Sequence, residues 1–106
     1  MDVNDLIREI TATYEKHGWQ LREILVRPET RAQISLDASA TPVRDSEADA
    51  LWFTRPSTRG REAWELRLIS ETPYALFETF DSDSSAETRE NKRREMETRL
   101  VEYSSG

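Results

Sequence analysis

The sequence predicts an α+β fold, a single small domain in which an N-terminal and a C-terminal helix pack on one face of an antiparallel β-meander of three to four strands. Three observations predict it: a helical apolar period near the N-terminus, a period-two pattern from Leu51 to Phe80, and a second helical pattern from about Ala86 to Tyr103. The length of 106 residues suits one core spanning residues 1–106.

Asp2 stands where a helix cap belongs, and Val3, Leu6, Ile7, Ile10 and Tyr14 share one face of the helix that follows. Gly18 suits the left-handed position beyond its C-terminus, and Lys16 and His17 suit the negative end of its dipole. Trp19 to Val26, bounded by Gly18 and Pro28, is rich in strand formers and is read as a strand, although its apolar residues do not alternate cleanly. Pro28 opens a short helix through Leu36, and residues 37–49, small, polar and acidic, read as a loop.

Two hairpins are expected next, turning near Thr58-Arg59-Gly60 and at Glu71-Thr72-Pro73. Setting Phe53 against Trp64, Leu51 against Leu66, Leu68 against Leu76 and Trp64 against Phe80 gathers all seven side chains on one face. Ser84 and Glu87 have capping-box spacing for the last helix. Its apolar stripe, Met96, Leu100 and Tyr103, occupies only the C-terminal half.

Composition narrows the function classes. A net charge of −6 argues against a general nucleic-acid binder, which needs surplus cations. Residues 51–70 hold four arginines against two glutamates, whereas 71–83 hold four acids and no base. No apolar run is long enough to span a bilayer and no secretory signal is legible, so no membrane partner is expected. The absence of cysteine removes disulfides, thiol nucleophiles and thiolate metal sites, and agrees with a cytoplasmic address. His17 is the only histidine, and glycine occurs only at 18, 60 and 106, so no multi-histidine metal site and no phosphate-cradling loop can be written. Asp81-Ser82-Asp83 opens like a calcium loop, but Ala86 and Lys92 stand where glycine and a carboxylate are required. No catalytic residue, cofactor or metal is assigned.

Two surfaces remain as candidates. Arg55, Arg59 and Arg61 surround the first turn and form a candidate anion site, since guanidinium groups grip phosphate or carboxylate bidentately; the plainer reading is a solvated hairpin tip. In the register above, Trp52, Ile69, Ala75 and Phe77 point to the reverse face with Arg67, which lies within cation–π reach of Phe77. That face is a candidate homodimer or partner interface, Trp52, Arg67, Ile69 and Phe77 being its residues; the plainer readings cover it with the 19–36 segment or leave it a partly exposed sheet face. The polar first half of the last helix, with five bases against five acids over 84–106, reads as a solvated face. Glu78 interrupts an apolar series and is either a perturbed acid, a residue placed where the twisted sheet leaves the helices, or the partner of a nearby arginine. The expected function is a non-enzymatic protein-interaction module that homodimerises through a sheet face. The rival is a small-ligand or anion-binding domain, or an enzyme, centred on the arginine turn, and a third reading gives the acidic segments 37–50 and 71–83 to basic partners.

Overall fold

In the structure, a computed structural model that describes residues 2–35 and 41–105, Asp2 caps helix α1 (Val3–Lys16), its carboxylate accepting the Asn4 N–H at 2.8 Å. The helix ends as Gly18 allows. With φ +85° at Gly18, its N–H donates to the Glu15 carbonyl at 3.1 Å and the Trp19 N–H to the Tyr14 carbonyl at 3.1 Å. These two bonds form a Schellman motif, and its customary apolar contact is Trp19 edge-on to Tyr14 with ring centroids 6.0 Å apart. A local turn rule thus sets the first two aromatic rings of the candidate surface side by side.

Strand β1 (Gln20–Val26) explains its own irregular pattern. Leu21 pairs with Phe53 but Glu23 with Trp52, so Arg22 is the extra residue of a β-bulge. The bulge turns Trp19, Leu21, Ile24 and Val26 toward one core despite their uneven spacing. Helix α2 (Pro28–Arg31) is a single turn, held by the Asp49 carboxylate, which accepts the Arg27 N–H at 2.8 Å and the Thr30 hydroxyl at 2.7 Å. Its expected extension ends before Leu36, which with residues 37–40 lies outside the described residues. The remainder of the expected loop contains strand β2 (Val43–Asp45), parallel to β1 through Ile24 and Val43. Three residues recruited by a distant partner carry no periodic signal of their own.

The other strands, β3 (Ala50–Pro56), β4 (Glu62–Leu68) and β5 (Ala75–Phe80), form the antiparallel meander, and the five-stranded sheet runs β2-β1-β3-β4-β5. Helix α3 (Ala86–Ser105) closes the chain, capped by Ser85, whose hydroxyl accepts the Thr88 N–H at 3.1 Å. The expected cap at Ser84 is displaced by one residue.

The α+β architecture is as expected, but the two long helices divide between the faces instead of sharing one. α1 packs with Ile24, Val26, Leu51 and Phe53, whereas Met96 and Leu100 of α3 pack with Leu25, Ala50, Trp52 and Leu66. The cause is the first turn. Phe53 pairs with Glu65 and Trp52 with Leu66, one residue away from the expected register, because the loop Thr58–Gly60 holds an odd number of residues. A one-residue slip turns every side chain of a strand to the opposite face. Leu51 and Phe53 therefore lie under α1, while Trp64, Leu66, Leu68 and Leu76 lie on the α3 side. The second hairpin is shifted by two, pairing Leu66 with Leu76, and so keeps its faces. Ala50, Leu51, Trp52, Phe53 and Thr54 are all buried, which makes β3 a central strand covered on both sides.

Candidate functional site

On the α1 side the helix covers β1 and β3, Ala63 and Arg67 of β4 are buried beside them, and the edge strand β5 is left partly open. Phe77, 57% exposed on the edge strand, is the largest apolar group in that opening, with exposed Ala75 and half-buried Thr79 beside it. Trp19 stands edge-on to Phe77 with ring centroids 6.2 Å apart. Tyr14 rises from α1 beside the opening, stacked on Phe53 at 4.1 Å, and its hydroxyl donates to the Glu65 carboxylate. Burial first, and then this carboxylate, push the Tyr14 hydroxyl well above the ordinary tyrosine pKa.

Two clefts flank Tyr14. One, of about 470 Å³, lies between Leu6 and Ile10 of α1 on one side and Arg67 of β4 and Pro73 of the second turn on the other. The other, of about 360 Å³, lies among His17, Trp19, Arg55 and Glu65. Arg67 does not lie over Phe77 as its sequence position suggests. It is 9% exposed, and its guanidinium donates to the Leu68 carbonyl and to the Ser70 carbonyl at 3.4 Å, securing the end of β4. Ile69 packs half-buried against the α1-side core just beyond that strand.

Trp52 belongs to the other face. It is 2% exposed beneath α3, its indole N–H donates to Glu97 at 2.9 Å, and it meets Trp64 edge-on at 5.8 Å. Only Arg67, Ile69 and Phe77 of the expected interface residues share the α1 side; the register slip moved Trp52 away from them. The neighbouring cleft of about 390 Å³ between α3 and the sheet was not legible in the sequence. Arg44 bridges Glu23 at 3.1 Å and Glu97 at 2.7 Å there, and Arg93 lies 4.6 Å over the Trp64 ring while pairing with Glu90 at 3.2 Å. Hydrogen bonds to Glu23 and then Glu97 raise the Arg44 pKa further, so these charges neutralise one another. Only one side of the polar half of α3 packs on the sheet, while Glu87, Glu90, Asn91 and Arg94 stay exposed as the solvated reading expects. Arg89 reaches Glu62 at 3.4 Å and Lys92 reaches Glu78 at 3.6 Å.

The three arginines of the first turn diverge. Arg55 donates to the His17 carbonyl at 2.7 Å and lies 4.6 Å over Trp19. Arg61 pairs with Asp81 at 2.8 Å, and Arg59 sits exposed at the apex. Two of the three guanidinium groups thus already hold internal partners, and the three do not converge on one point.

Among the described residues no helix is long and apolar enough to cross a membrane. Comparison of the chain with protein-family models, with characterised proteins and with solved structures finds no match.

Proposed function

We propose that the protein is a non-enzymatic interaction module, working in the cytoplasm, that self-associates through the open α1-side face of its sheet. One observation carries this reading: Phe77 is 57% exposed on an ordered strand, while Trp19 and Tyr14 beside it are held rigidly by the Schellman turn and the Phe53 stack. Large exposed apolar groups that sit among fixed aromatic neighbours are characteristic of interaction surfaces. The polar groups of the surface support it too. Arg55, Arg67 and Tyr14 spend their donors on internal carbonyls and on Glu65, which leaves them as scaffolding for the face.

Size-exclusion chromatography with light scattering tests the proposal. The wild type is expected to exceed the 12.4 kDa of one chain as its concentration rises, and Phe77→Glu to remain at that mass. A wild type that stays at the single-chain mass throughout rejects self-association.

A further inference from the structure

The sheet has two edges, and they are treated differently. β2 is three residues long, follows Pro42, and carries Arg44 and Asp45, the short charged form that discourages pairing with another chain. β5 runs for six residues without lysine, arginine or proline, and its register with β4 contains no bulge. Its one charge, Glu78, is turned to the α3 side, where it pairs with Lys92.

The ladder also shows which backbone groups of β5 are free. The Leu68 N–H donates to the Tyr74 carbonyl at 2.9 Å, so in an antiparallel pair the hydrogen-bonded partners of β4 are residues 74, 76, 78 and 80. Ala75, Phe77 and Thr79 therefore present their N–H and C=O groups to the open edge. The Thr79 N–H is taken by the carboxylate of its neighbour Glu78 at 3.2 Å, a local bond that a partner strand can replace.

We propose that β5 pairs antiparallel with β5 of a second copy about a two-fold axis at Phe77, joining the two sheets edge to edge. The inference rests on the self-association proposed above and names its geometry. The strand is self-complementary in this register. Phe77 meets its own copy, Ala75 meets Thr79, and Leu76 meets Glu78, so no like charges stand directly opposite. Both Phe77 rings fall on the α1 side, where each already leans on Trp19. Six paired residues bury less than the about 1,600 Å² of a standard interface, so the dimer is reversible and its population follows concentration.

Amide hydrogen exchange of the unaltered protein over a concentration series tests the geometry, alongside an Ala75→Pro variant whose lost N–H serves only the open edge. Pairing through β5 predicts that the Phe77 amide exchanges more slowly as the dimer forms, and that Ala75→Pro weakens the dimer at least about tenfold. A Phe77 amide that exchanges at one rate throughout, in a protein that dimerises and is made monomeric by Phe77→Glu, overturns strand pairing and leaves face-mediated association standing. A wild type that never associates overturns both. If Ala75→Pro does not fold, the exchange result on the wild type decides alone.

Discussion

Tyr14 concentrates more of the candidate surface's chemistry than any other side chain. It closes α1 through its carbonyl, stacks on Phe53 and donates to Glu65. Its folded pKa lies above the ordinary value of 10.0, chiefly through burial. Tyrosine in the unfolded chain ionises near pH 10, where the folded one keeps its proton, so the folded state binds more protons above that pH. The stabilisation is complete below about pH 10 and is lost as the pH rises further. Tyr14→Phe is expected to cost about 1 kcal/mol at neutral pH. The difference between wild type and variant should shrink when urea midpoints are compared at about pH 8 and about pH 11. A difference that holds or widens at the higher pH contradicts this account. Tyr14 was readable in the sequence as a core-facing helical residue. Its bond to Glu65 was not, because the two residues meet only when the sheet forms.

Among the elements, the first hairpin turn decides most. Arg59 has φ 59° and Gly60 φ 74°, so two successive residues occupy the left-handed region. Glycine accepts that conformation readily and arginine does not. Arg59→Gly is expected to raise stability by up to about 1 kcal/mol, and Gly60→Ala to lower it by about as much. The nearest atoms to a new Cβ at position 60 are those of Ser82 at 3.9 Å, so conformation rather than crowding sets the second effect. Thermal unfolding of the two variants should show shifts of opposite sign; shifts of the same sign would mean a different turn. The location of this turn was legible from Thr58-Arg59-Gly60, but its parity was not, and parity chooses which face Trp52 joins. One sequence signal pointed to the outcome: Ala50-Leu51-Trp52-Phe53 is an unbroken apolar run, the mark of a strand buried on both sides. Arg22 acts similarly in β1, where a bulge that no local rule announces restores the alternation of Leu21 and Ile24.

For the whole molecule, the division of helices between faces accounts for the open surface. Each face receives one long helix, and α1, packed on the β1–β3 side, leaves Phe77 uncovered. Self-association that removes this surface from water binds the folded state alone, so it stabilises by mass action. The wild-type melting temperature is expected to rise as protein concentration increases from about 5 to about 500 µM, while that of Phe77→Glu stays constant. Equal concentration dependence in the two proteins would place the contact elsewhere.

The sequence by itself determined the helices, the meander and the turn positions, because caps, apolar periods and turn residues act within a few neighbours. Asp2, Gly18 and the Met96–Leu100 stripe were sufficient for the two long helices, and the period-two run from Leu51 to Phe80 for the meander. The tertiary structure alone decided which face each strand shows, the parallel strand β2, and the separation of Trp52 from Phe77. Those outcomes depend on loop parity, on one bulge and on pairing between distant segments, where a single residue of register exchanges the two sides of a strand.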